Sequence, residues 1–256
     1  MSARSRSSSP EFDPLAFDQD FTPLPEYKAP TDTALDFGGL LPEPLKLHED
    51  LKTGCGGQLW PAGMTLAKHM LRYHGDKLQK ARILEIGAGG GLVGLAVAKG
   101  CSFETPMYIT DQLEMEELMA YNTTLNGLND KVKSMILNWT GSPEFGFTLT
   151  FILTTSRDAN RGEPLPEAIV ALKPDTILAA DCVYFEPAFP LLLQTLKDLL
   201  ALEPNATVYF CFKKRRRADM QFLKAARKTF TITELEDQDR PVFSREGLFL
   251  YAFTRK

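Results

Sequence analysis

The chain has 256 residues, 44% of them hydrophobic and 24% charged, which suits one α/β domain with a sizeable core, or at most a domain with an appendage. Its net charge of −4 excludes a molecule that binds polyanions over its whole surface, and no apolar run approaches the length of a membrane span. Its four cysteines lie scattered without a C-x-x-C pair and its three histidines show no ligand spacing, so neither a disulfide framework nor a metal site is expected.

The N-terminal stretch 1–34 is rich in Ser, Pro and Asp and is expected to be a disordered tail, with 35–256 as the folded domain. The run LDFGGLLPEPLKLHED, from Leu35, mixes apolar and turn residues and reads as a small hairpin or lid. Gly54, Gly56 and Gly57 make a turn before Trp60 and Pro61. Ala62 to Tyr73 reads as an amphipathic helix with Met64, Ala67 and Leu71 on one side. Trp60 is placed equally well to fill the core or to wall a ligand pocket.

The most informative stretch is ILEIGAGGGLVG, from Ile83 to Gly94. It reads as a buried strand, a glycine turn and a helix start. The dinucleotide fingerprint needs a third glycine where Leu92 stands. Glu85, two residues before Gly87, instead suits a ligand that carries an ammonium group, as S-adenosylmethionine does. A bare strand-to-helix turn is the plainer alternative.

MYITD is a second strand ending in Asp111, about 20 residues beyond the glycines, where an acid can hold ribose hydroxyls. Helix N-capping is the competing job for that side chain. Gln112 to Asn126 reads as a helix stopped by Gly127. Lys131 to Trp139 is a third strand, with Trp139 at its exit on the crevice side. Residues 141–173 form an insertion of uncertain equivalence, with a strand-like segment from Phe147 to Thr155. Asp175 to Tyr184 is a fourth strand and its exit. There Asp181 and Tyr184 stand three apart, an acid to orient an acceptor amine and an aromatic to wall it from water. Capping and core packing are the plainer roles for this pair.

A helix follows from Glu186, then a strand from Ala206 to Lys213. The five cations Lys213 to Arg217 read as a solvated or protein-facing surface, since no aromatics interleave them. After a helix over Ala218 to Lys228 come two last strands, TITELED and GLFLYAFT, joined by a segment with Pro241 that is not expected to be helical. The expected fold is a Rossmann-like, mostly parallel seven-stranded sheet with helices on both faces and an antiparallel terminal hairpin.

GCGGQLWPAG, LEIGAGGGLVG, ITD, LNW and AADCVYFEPAFPLLLQTL together resemble the seven-strand protein-lysine methyltransferases, a class I S-adenosylmethionine-dependent family. FCFKKRRRADMQFLKAARKTF and the upstream DFGGLLPEPLKLHED are most similar to its fungal members that modify translation elongation factor 1-alpha. The resemblance spans Leu35 to Lys256. It implies S-adenosylmethionine as cofactor, held by Trp60, Glu85, Gly87, Ala88, Gly89, Gly91, Asp111, Trp139 and Ala180, with Asp181 and Tyr184 on the substrate side. It implies a cytoplasmic, monomeric enzyme acting on a protein, with elongation factor 1-alpha as partner. Gly90 departs from the family, where Thr is frequent. A methyltransferase of nucleic acid or small molecules is the rival enzyme, although Cys182 and Val183 replace the prolines typical of amine-methylating nucleic-acid enzymes. A non-catalytic module that keeps the fold is the rival of another class.

Overall fold

The computed structural model describes residues 30–52, 55–139 and 164–256. Most of the expected tail, Gly54, and the strand-like segment from Phe147 to Thr155 lie outside the described residues.

The first strand, β1 (Thr31–Leu35), pairs antiparallel with β2 (Leu45–Glu49), so the expected small hairpin is present. It begins inside the stretch read as tail, at Thr31. After it come α1 (Pro61–Tyr73), β3 (Ile83–Ile86), α2 (Leu92–Gly100), β4 (Met107–Asp111), α3 (Glu116–Leu125) and β5 (Val132–Ile136). Then follow α4 (Glu167–Leu172), β6 (Thr176–Ala180), α5 (Phe189–Leu202), β7 (Thr207–Lys213), α6 (Arg217–Thr229), β8 (Phe230–Glu234), α7 (Arg240–Phe243) and β9 (Leu248–Arg255). The main sheet has seven strands in the order β5-β4-β3-β6-β7-β9-β8. The pairs from β5 to β7 are parallel, and β9 runs antiparallel to both β7 and β8.

The alternation of side chains along each strand divides the core in two. Ile83, Met107, Ile109 and Leu178 pack on one face with α1 and α2. Leu84, Ile86, Ile177, Val208 and Phe210 pack on the other with α5 and α6. All four residues of β3 are buried, as a strand covered on both sides requires. The chain leaves β3 toward β4 and β5, then returns to build β6 and β7 on its other side. The strand order therefore reverses between β3 and β6, and the crevice beyond the carboxyl ends there is where such sheets take ligands.

Met64, Ala67 and Leu71 of α1 all pack against the first core, Ala67 fully buried and the other two half-buried, with Ala62, Leu66 and Met70 buried beside them. Two local expectations are corrected. The segment with Pro241 does form a helical turn, α7, because a proline in the first turn gives up an N–H that has no helical partner. Within the expected insertion, 167–172 form α4, which packs Ile169 into the second core.

Candidate active site

The glycine turn follows β3 in the geometry its sequence requires. Gly87, Gly89 and Gly91 have φ of 62°, 54° and 87°, which L side chains rarely adopt. Space is as restrictive as the dihedrals. A Cβ on Gly87 would lie 2.7 Å from Cys182 Sγ and 3.0 Å from the Trp139 ring, and one on Gly89 would lie 2.4 Å from the Gly56 carbonyl. Four segments thus converge on this turn: the 55–57 loop, the β5 exit with Trp139, the β6 exit with Cys182, and the turn itself. The Ala88 N–H donates to the Thr110 carbonyl at 3.0 Å, and the Gly91 N–H donates to the Ala88 carbonyl at 2.8 Å just before α2 begins.

Asn122 of α3 holds the same turn from outside. Its amide donates to the Gly90 carbonyl at 2.9 Å and to the His48 carbonyl at 3.1 Å, and it accepts the His48 N–H at 2.8 Å. A fully buried Asn thereby ties β2 to the glycine turn. Nothing in its neighbourhood in the sequence signals this. An Asn within a helix is weakly informative by itself, and its partners lie 32 and 74 residues away.

The two acids of the turn do different work. Asp111 Oδ2 accepts the Gly89 N–H at 2.7 Å, and its Oδ1 accepts the Gln112 N–H at 2.7 Å. It does not act as a helix N-cap, since the short helical turn after it has Gln112 at that position and no side-chain cap. Burial raises its pKa, and the two N–H donors oppose that rise. Each oxygen keeps a lone pair for a hydroxyl. Glu85 corrects an expectation. It is only 1% exposed and its Oε2 accepts the Gly94 N–H at 2.7 Å, so it anchors the first turn of α2 rather than facing the crevice. Burial pushes its pKa up to about 8, against the opposing N–H groups of Gly94 and Val93. Spacing identifies the residue, but the strand's alternation turns its side chain under α2.

At the β6 exit Ala180 is half-buried and Asp181 follows with φ of 57°. Few non-glycine residues hold that conformation, and Asp is among the more tolerant. Its side chain is 6% exposed. Arg215, just past β7, grips it with both ends: Nη1 to Oδ1 at 2.8 Å and Nη2 to Oδ2 at 2.6 Å. The Lys213 N–H adds a bond to Oδ1 at 3.2 Å. The same guanidinium lies 5.0 Å from the centre of the Trp60 ring. Tyr184 is 49% exposed, and Arg216 donates to its carbonyl. Two of the five cations read as surface are therefore built into this exit. Cys182, at the turn, has its pKa pushed well up by burial, so its thiol stays protonated and is no nucleophile.

A separate cavity of about 570 Å³ opens between β1, α1 and α7, lined by Phe37, Met64, Asp237, Val242 and Phe243 among others. Of the candidate site residues it touches only Trp60. Among the described residues no group of His, Cys, Asp and Glu could hold a metal ion, and no helix is long and apolar enough to cross a membrane.

The residues at the turn suit S-adenosylmethionine. Glu85 and Asp111 are the only charged side chains in Ile83–Gly94 and Met107–Asp111, so neither segment brings a cation to meet a pyrophosphate. Asp111 offers acceptors to a diol, and Trp139 supplies a flat apolar wall beside Gly87.

Known proteins agree. Residues 40–153 and 155–229 match the family model described as lysine methyltransferase. The chain is 34% identical over 239 residues to the protein-lysine N-methyltransferase EFM6 of Saccharomyces cerevisiae, covering 88% of this chain and 91% of that one. It is 28% identical to the protein N-lysine methyltransferase METTL21A of Xenopus tropicalis, covering 75% and 76%. It is also 28% identical to the EEF1A lysine methyltransferase 3 of Mus musculus, covering 64% and 58%. Among solved structures, the Thermus thermophilus 16S rRNA N2 G1207 methyltransferase RsmC, in complex with AdoMet and guanosine, superposes with a TM-score of 0.53 at 13% identity, covering 91% of this chain and 52% of that one, which concerns the fold alone. The chain belongs to the lysine methyltransferase family and is an S-adenosylmethionine-dependent protein-lysine N-methyltransferase.

Proposed function

We propose that the protein methylates a lysine of translation elongation factor 1-alpha in the cytoplasm, with Asp181 and Tyr184 on the substrate side. The observation that carries the substrate is similarity, over 64% of the chain, to a mouse enzyme named for this factor, and similarity along 88% of the chain to a yeast protein-lysine methyltransferase supports the chemistry. Trp60, the turn Gly87 to Gly91, Asp111, Trp139 and Ala180 hold the cofactor, and Glu85 supports them from beneath α2.

Bound S-adenosylmethionine supplies a methyl group on a sulfonium sulfur; the lysine nitrogen's lone pair forms the new N–C bond as the C–S pair returns to sulfur, and one N–H proton leaves to solvent. The protein's contribution is chiefly to position the amine in line with that bond and to exclude water. A lysine side chain has a pKa of about 10.4 in water and must be neutral to attack. Tyr184 is half exposed in the free protein, and desolvation of the amine as the protein substrate covers this face favours its neutral form. Asp181 orients the N–H groups of the amine.

Recombinant elongation factor 1-alpha incubated with the enzyme and cofactor, then mapped by peptide mass spectrometry, tests this reading. One lysine should gain mass in methyl steps, and Lys→Arg at that position should abolish the gain. Methylation of other proteins with this factor untouched would remove the substrate assignment.

A further inference from the structure

The guanidinium of Arg215 meets two site residues from different elements at once. It pairs with both oxygens of Asp181 and faces the Trp60 ring. Its backbone is pinned as well: Asp219 Oδ2 accepts the N–H of Arg215 at 2.7 Å and of Arg216 at 2.8 Å, at the head of α6. The fork geometry lets one planar cation neutralise a carboxylate and still stack on an aromatic face. Its side chain is 32% exposed while that of Asp181 is 6% exposed, so the guanidinium lies at the rim of the site and the carboxylate just beneath it.

We propose that Arg215 is a positioning residue for catalysis, cancelling the charge of Asp181 so that the carboxylate can orient the target lysine without holding it as an ammonium ion. This rests on the assignment of Asp181 to the substrate side. The need is chemical. An uncompensated carboxylate within about 4–6 Å raises the pKa of a neighbouring amine by about 1–3. Each such step of one lowers the neutral, reactive fraction about tenfold at neutral pH. A fixed counter-cation removes that penalty: Oδ1 accepts from Arg215 and the Lys213 N–H and Oδ2 from Arg215, which leaves one Oδ2 lone pair for an N–H of the amine. The other groups facing Asp181 do not supply a substitute charge in the same place. Lys213 gives its backbone N–H, Arg216 is paired with Asp219 and the Tyr184 carbonyl, and Cys182 and Cys211 are buried thiols with raised pKa values.

The test is the pH profile of kcat at saturating cofactor and protein substrate, which reports groups in the bound complex. Arg215→Gln keeps a hydrogen-bond donor without the charge. It should lower kcat about tenfold or more near pH 7.5, recover toward the parent rate as pH rises to about 10, and move the acid limb up by about one pH unit or more. Arg215→Lys should keep the parent limb. Arg215→Gln with Asp181→Asn should return the limb toward the parent position, because both charges are gone. Thermal melting shows whether Arg215→Gln is folded; if it is not, Arg215→Lys against Asp181→Asn/Arg215→Gln carries the comparison, and limbs that differ by about one pH unit overturn the inference. A factor lost equally at every pH, with the limb unmoved in an active enzyme, overturns the inference alone. A parent enzyme that methylates no lysine overturns the site assignment and the inference together.

Discussion

Asp111 accepts the Gly89 N–H at 2.7 Å, so the carboxylate at the end of β4 fixes the turn at the end of β3. One side chain shapes the cradle, and in the proposed function its remaining lone pairs take a ribose. Asp111→Asn replaces one acceptor oxygen by a donor, which faces either the Gly89 or the Gln112 N–H. We expect cofactor affinity to fall about ten- to a hundredfold, the loss of a charge-assisted bond plus distortion of the turn. Calorimetric titration with S-adenosylmethionine checks this; unchanged affinity would show that Asp111 is structural only.

Asn122 gives a stability prediction at the same turn. Asn122→Ala leaves the His48 N–H and carbonyl and the Gly90 carbonyl without their buried partner. The cost should be about 2–4 kcal/mol, read by denaturant unfolding. Cofactor binding should weaken too, because Gly90 lies inside the turn. A variant as stable as the parent would mean that water replaces the amide.

Glu85 gives a pH prediction. Its folded pKa is about 8, above the 4.5 of an ordinary glutamate. The folded state therefore holds a proton that the unfolded chain has released, and stability falls as pH rises from about 4.5 to about 8. Glu85→Gln removes this titration while keeping an acceptor for Gly94. Unfolding free energy measured at pH 5.5 and 8 should drop more for the parent than for Glu85→Gln, by about 1.4 kcal/mol for each pH unit crossed inside that window. Equal slopes would show that Glu85 is ionised without penalty.

Gly94 lies on the buried side of α2, where a methyl group would sit 2.4 Å from Ile109 Cγ2 and 2.5 Å from Glu85 Oε2. Gly94→Ala gains helix propensity but overpacks this contact. A net loss of about 1–3 kcal/mol is expected, with cofactor affinity reduced as α2 is pushed from the sheet. A stabilised variant would mean that α2 can move at no cost.

The seven strands of the main sheet and the longer helices are legible in the sequence because apolar runs, alternation and glycines carry them locally, whereas the short α4 and α7 are not. Ile83 to Ile86 reads as a strand covered on both faces, and Gly87, Gly89 and Gly91 name the turn. Direction is less legible than identity. Spacing finds Glu85, yet spacing does not say that its carboxyl turns under α2. Arg215 is hidden in a run of cations whose ordinary reading is solvent. Its role depends on Asp181, 34 residues away, and on Trp60, which an earlier segment delivers. Asn122 is hidden for the same reason: long-range partners leave no local pattern.

In the proposed function Asp181 is the residue that bears most directly on catalysis. Asn tolerates the left-handed backbone that Asp181 adopts, so Asp181→Asn tests the side chain without adding strain. We expect kcat to fall about a hundredfold or more while cofactor affinity stays within a fewfold. Parent-level turnover would move the substrate role elsewhere.

Methyl transfer to a lysine of elongation factor 1-alpha is the reading to which the substrate-side residues are fitted. The measurement that decides it adds purified protein and radiolabelled S-adenosylmethionine to an extract of cells lacking this protein, with and without nuclease. We expect one labelled protein band at the size of elongation factor 1-alpha, unchanged by nuclease and absent with Asp181→Asn. Label that nuclease removes, or label confined to small molecules, would contradict it.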